Sequence, residues 1–239
     1  MKKLLLLAGL FAATQSFTVW KVVKGNGIEK NEQRDASGYT AIASGGPISV
    51  DISYGSSNSI TIEGDENILP YIETRVKDGK LTIKVKDMVS IKPQLNVRVR
   101  VSMKTITGIS QSGSGSITGS GDFTNDGQAN INISGSGNIK LAFAKFNATD
   151  ISMSGSGAID LQGDIVQNLD INQSGSGRIN CVKAPSQNVS AKISGSGSMK
   201  VNAVKTISAH ISGSGRIYYT GDAEQVNTKV SGSGSIEKI

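Results

Sequence analysis

Over most of this chain apolar and polar residues alternate with a period of two, the pattern of extended strands that bury one face. Ile151, Met153, Ile159 and Leu161 share one parity with Gly155 and Gly157, while Asp150, Ser152, Ser154, Ser156 and Asp160 share the other. The arrangement returns wherever Ser-Gly-Ser-Gly returns, at residues 112–115, 134–137, 154–157, 174–177, 194–197, 212–215 and 231–234. Successive copies start 22, 20, 20, 20, 18 and 19 residues apart, about one coil of a β-solenoid. Aligned on the tetrapeptide, the columns hold similar side chains. Four residues before the first glycine stand Ile131, Ile151, Ile171, Ala191 and Ala209; two before it, Ile133, Met153, Gln173, Ile193, Ile211 and Val230. Two after the second glycine come Ile139, Ile159, Ile179, Met199, Ile217 and Ile236.

A single coil cannot bury enough surface to offset the ordering of its backbone, so coils must stack and share a core. The pattern therefore predicts an all-β chain, chiefly a single-stranded parallel β-helix with about 20 residues per coil. The glycines of each tetrapeptide fall on the inward parity at a sharp edge, where a Cβ would collide with the core or φ must be positive. The serines face outward and stack into two ladders, Ser134, Ser154, Ser174 and Ser194 in one, Ser136, Ser156, Ser176 and Ser196 in the other. Such hydroxyls either satisfy one another and the turn backbone or present a contact surface to sugars or a partner.

Before the repeats the pattern is that of an N-terminal β-region over residues 38–111. Ile48, Val50 and Ile52 form a strand, Ile60 and Ile62 another, and Asp65–Tyr71 a short helical turn limited by Pro70. Asp78-Gly79 joins the strands of Ile72–Val76 and Leu81–Val85 in a hairpin, and Val97, Val99 and Val101 lead to the repeats. This region is expected to cap one end of the solenoid at residues 112–239 and so cover its edge. No cap follows the last repeat, which leaves that end open to a second protomer or a protein partner. Residues 17–37, interrupted by Gly25, Asn26 and Gly27, read as a flexible lead-in.

Met1-Lys2-Lys3, the apolar run of residues 4–13 and the small residues Thr14 and Ser16 form an export signal, residues 1–16. The expected location is the periplasm or the cell surface. No later segment is apolar enough for a transmembrane helix. The 29 glycines belong to the turns, and 5% aromatic content implies an aliphatic core. The net charge of +6 is too mild and dispersed for a nucleic-acid footprint. Cys181 falls in the inward column of Leu161 and Val201 and reads as a core residue.

Candidate chemistry is sparse. Lys84, Lys86, Arg98 and Arg100 lie on outward parities and would form a basic stripe for an anionic polysaccharide or lipid headgroups if their strands pair. Tyr218 is the exposed aromatic candidate for stacking on a sugar. The outward acids Asp122, Asp150, Asp160, Asp164 and Asp170 are scattered, and His210 is the only histidine, so no catalytic, cofactor or metal set is assigned.

Several stretches together resemble the putative auto-transporter adhesin family with a head GIN domain, found in exported proteins of Gram-negative bacteria. They are Ile48–Ile52, Gly64–Pro70, Asp78–Ile83, the repeated Ser-Gly-Ser-Gly with its following aliphatic residue, and Ile217–Asp222. The resemblance implies an exported β-helical protein with an adhesin role and carries no catalytic residues. The expected function is non-catalytic binding or support, with contact to envelope or host polysaccharide or to a protein partner. The rivals are a carbohydrate-active β-helix lyase or hydrolase, which needs acids converging on one groove, and a periplasmic scaffold or sensor partner without a glycan ligand.

Overall fold

The computed structural model describes residues 20–55 and 58–239, so the export signal expected at residues 1–16 lies outside the described residues. In chain order, β1 (Lys21–Lys24) and β2 (Glu29–Arg34) precede β3 (Ala41–Gly45) and β4 (Ser49–Tyr54). Next come β5 (Ser59–Asp65), a 3-10 turn at Leu69–Tyr71, β6 (Ile72–Lys77), β7 (Lys80–Val85), β8 (Val89–Lys92) and β9 (Arg98–Met103). The solenoid proper runs through β10 (Gly108–Gly113), β11 (Ser116–Ser120), β12 (Thr124–Gly135), β13 (Asn138–Gly155) and β14 (Ala158–Gly175). It ends with β15 (Arg178–Gly195), β16 (Ser198–Gly213), β17 (Arg216–Thr220), β18 (Gln225–Ser231) and β19 (Ser235–Lys238). The fold is the expected β-solenoid.

Each coil has an approach arm leading into its Ser-Gly-Ser-Gly corner and an exit arm leaving it. Parallel pairing sets Ile131 beside Ile151, Ile171, Ala191 and Ala209 in turn, so the inward columns read from the sequence are the core. The ladder continues through the corner. Ser176 N–H donates to Gly155 O at 3.0 Å and Arg178 N–H to Gly157 O at 3.0 Å, with equivalent bonds one coil on. The two glycines answer different demands. The first, such as Gly155 at φ +121°, takes a backbone conformation that side chains rarely adopt. The second lies under a neighbour, and a Cβ on Gly157 would stand 3.0 Å from Cγ2 of Ile133. Differences in coil length are absorbed away from the corner, at register shifts such as those between Ala142 and Lys145 and between Cys181 and Ser186.

The N-terminal region is continuous with the solenoid. β3 pairs with β10 and β4 with β11 in the register of the later coils, and the Gly45-Gly46 corner stands in for the tetrapeptide. Residues 41–54 are thus the first coil. β7 stacks beyond β3 and β9 beyond β4, both parallel, after which the pairing turns antiparallel: β6 on β7, β5 on β9 and β2 on β5. The change of direction ends the coil and forms the cap. The hairpin at Asp78-Gly79 is present, with φ of 50° and 72°.

Two strands, β1 and β2, lie within the stretch of residues 17–37 expected as a flexible lead-in. β1 and β8 form a two-stranded sheet of their own and β2 adds to the edge of β5, pairings that need backbone groups but no apolar alternation. Asp65 holds the connection between them. Its fully buried carboxylate accepts N–H groups from Gly27 at 2.7 Å, Gln94 at 3.0 Å and Leu95 at 3.0 Å. Burial alone would raise its pKa, but the backbone donors outweigh it and leave the carboxyl below its ordinary value.

At the far end the core columns stop. β18 pairs with β16 alone in its arm, which sets Val226 beside Ile207 and Val230 beside Ile211. Both valines remain over 40% exposed, because no described residue stacks on their other side. No helix among the described residues is long and apolar enough to cross a membrane.

Candidate functional site

Because every approach arm is in register, its outward residues form straight rows with steps of about 4.8 Å. One row is Ser110, Asn132, Ser152, Asn172, Lys192 and His210; the other is Ser112, Ser134, Ser154, Ser174, Ser194 and Ser212. The rows flank an open groove of about 840 Å³ that runs along the solenoid onto the cap coils, where Ala43, Gly45, Thr82 and Lys84 continue it. Six rungs of each row span about 24 Å. Small serines beside the corner leave the space, and asparagines supply both donors and acceptors on the facing row. Lys84 stands at the cap end, with Lys192 and His210 at the other.

The groove serines are not consumed by the fold. Main-chain bonds close the corners, and among the described residues the side-chain hydrogen bonds include none from Ser134, Ser154, Ser174 or Ser194. The second ladder, Ser136, Ser156, Ser176 and Ser196, is also exposed, but it lies at the corner and outside the groove lining. The sequence pattern thus finds one row of the groove. It misses the other, although the position three before the first glycine is polar in every copy, and that was the available signal.

The basic stripe does not assemble. β7, which carries Lys84, pairs with β3 and β6, while β9, which carries Arg98 and Arg100, pairs with β4 and β5 on the exit side. Lys84 bonds Asp87 at 2.7 Å, Arg98 lies 3.4 Å from Asp51, and Arg100 pairs with Glu63. Lys86 is exposed beyond the end of β7. Tyr218 sits on an exit arm, away from the groove, with the Lys200 ammonium 5.6 Å from its ring centre.

The acids do not converge either. Asp150 and Asp170 are neighbours across β13 and β14, and Asp150 accepts a hydrogen bond from Gln128. Asp160 lies on an exit arm and accepts from Asn180 at 3.4 Å. The groove lining contains no carboxylate. Among the described residues no three His, Cys, Asp or Glu side chains come together as a metal site. Cys181 is fully buried, and burial, with the nearby Asp160 charge adding to it, raises its thiol pKa well above the usual range.

The family described as "Putative auto-transporter adhesin, head GIN domain" matches residues 38–223. No curated protein matches by sequence. Among solved structures, a putative adhesin from Bacteroides fragilis NCTC 9343 superposes with a TM-score of 0.81 at 21% identity, covering 91% of this chain and 100% of that one. A putative lipid binding protein from Parabacteroides distasonis ATCC 8503 gives 0.71 at 26% identity, covering 92% of this chain and 100% of that one. A putative adhesin from the same strain gives 0.71 at 24% identity, with coverages of 92% and 100%.

Proposed function

This chain belongs to the putative auto-transporter adhesin family with a head GIN domain, and from that premise we propose an exported, non-catalytic protein that holds a linear polysaccharide of the envelope or of a host surface. The observation that carries the reading is the pair of hydroxyl and amide rows along the approach arms. A sugar polymer presents hydroxyls at regular intervals, and side chains repeating at the coil spacing can exchange their water for those hydroxyls rung after rung. Each contact is weak because it replaces bonds to water. Affinity then comes from the number of rungs engaged at once. Lys192 in the groove lining, which has no acidic partner among the described residues, favours a polymer carrying some carboxylate or sulfate groups. A groove lined without carboxylates suits holding a glycan better than cleaving one.

A screen of the exported protein against a glycan array and anionic polymers, at low and physiological salt, tests the reading. The expected result is saturable binding to extended chains that weakens as the oligosaccharide is shortened. Silence toward every glycan class, or binding indifferent to chain length, contradicts it.

A further inference from the structure

Apart from the groove, the β1–β8 ribbon on the cap presents an unusual face. The two strands run parallel, with Val22 opposite Ser90 and Lys24 opposite Lys92. Lys21 N–H donates to Met88 O at 3.0 Å, which brings Trp20 alongside Met88. Alternation puts Val23 and Ile91 on the inner side, where they pack against the core. Val22 and Lys24 share the other side with Ser90 and Lys92, and Trp20 and Met88, just before the two strands, line a common hollow at that end of the ribbon. The outer side is therefore apolar at one end and cationic at the other.

Its composition is not what a solvated face needs. Trp20, the single tryptophan of the chain, is 61% exposed, with Val22 and Met88 more than half exposed beside it. Met88 is held at φ +61°, a conformation that is strained for a bulky residue and is tolerated only where the surroundings impose it. Lys24 and Lys92 stand directly opposite each other, an arrangement of like charges that destabilises a strand pair. Among the described residues neither has an acidic partner. Lys86, near the apolar end, is likewise exposed and without one. Lys21 and Lys84, by contrast, are engaged by Tyr71 and Asp87.

We propose that this outer face of the β1–β8 ribbon docks on the surface of an anionic phospholipid bilayer. Tryptophan with neighbouring apolar side chains favours the boundary between headgroups and acyl chains, and lysines set behind them meet the negative surface. The opposed lysines, costly in the isolated protein, are relieved when phosphates gather around them. An acidic peptide would meet the same cations, but the ammonium groups here are mixed with three large apolar side chains and with only one hydroxyl, Ser90, to pair with a peptide backbone. The Trp20–Met88 end reaches the groove at Gly45 and Lys84, whereas Lys24 and Lys92 stand outside the groove lining, so substituting those two lysines tests the bilayer face without altering the groove.

The single tryptophan makes the test direct. The exported protein is titrated with vesicles of phosphatidylcholine alone and with vesicles containing about one third phosphatidylglycerol. Anionic vesicles are expected to shift the Trp20 emission to the blue, to expose it to quenching by brominated acyl chains, and to lose the effect as salt rises. In the double variant Lys24→Glu with Lys92→Glu, which keeps the reporter, vesicle affinity falls at least about tenfold while any glycan binding is retained. No emission change with anionic vesicles overturns the proposal. So does equal binding of both vesicle types, equal binding of the double variant, or binding to an acidic peptide without binding to vesicles.

Discussion

Ile193 roofs Gly215 of the next coil: a Cβ placed on that glycine would stand 2.7 Å from Cγ2 of the isoleucine and 2.9 Å from the carbonyl oxygen of Gly197. The side chain two positions before one corner thus packs on the second glycine of the next, and the relationship repeats for Ile133 over Gly157. Gly215→Ala and Gly157→Ala are expected to lose about 2–4 kcal/mol each through overpacking against backbone that cannot move alone. Ser214→Ala, at the exposed position between the corner glycines, is expected to change stability by less than about 0.5 kcal/mol. Denaturant midpoints for the three variants check the contrast.

Asp65 ties the first strands to the cap through three backbone donors. Its folded pKa lies below the unfolded value, so its contribution is complete above the ordinary carboxylate range and is lost as pH falls through the lowered folded value. Asp65→Ala leaves the donors without an acceptor and is expected to cost about 3 kcal/mol or more at neutral pH. In Asp65→Asn, the fall in urea midpoint below about pH 4 is expected to be shallower than in the unmodified chain.

Cys181 is enclosed in the core with its thiol pKa raised by burial and by Asp160. Thiol reagents at pH 8 are expected to leave it unmodified in the folded protein and to react fully in denaturant. The ratio of labelling rates checks this, and rapid labelling of the native chain would show that the coil opens there.

Among the described residues the last coil has neighbours on one side only, with Val226 and Val230 exposed on core columns. Amide exchange is expected to be fastest in β18 and β19 and slowest in β13 to β15. If the slow exchange extends to β18 as protein concentration rises, a second copy covers that end; protection independent of concentration shows that the coil stands alone.

Much of this fold was legible because the inward columns and the tetrapeptide spacing repeat without interruption from Ser112 to Gly234. The first coil was harder to see, since Gly45-Gly46 replaces the tetrapeptide and β5 to β9 intervene before the chain returns at β10. The strands of residues 21–34 carry little alternation, because β2 is held through its backbone and by the Asp65 clamp, which links residues far apart in sequence. The groove was half legible. Ser134, Ser154, Ser174 and Ser194 stood out by their motif, whereas Asn132, Asn172, Lys192 and His210 share only polarity and parity. The stripe of Lys84, Lys86, Arg98 and Arg100 depended on β7 pairing with β9, and parity alone does not determine which strands pair.

Whether the approach-arm groove holds the glycan is decided by titrating a bound oligosaccharide against two double variants. Ser154→Tyr with Ser174→Tyr fills the groove, while Ser156→Tyr with Ser176→Tyr adds the same bulk at the corner outside it. The first is expected to lose affinity at least about tenfold, a cost of about 1.4 kcal/mol, and the second to keep it. Equal affinity in both, or loss only in the second, would contradict binding in the groove.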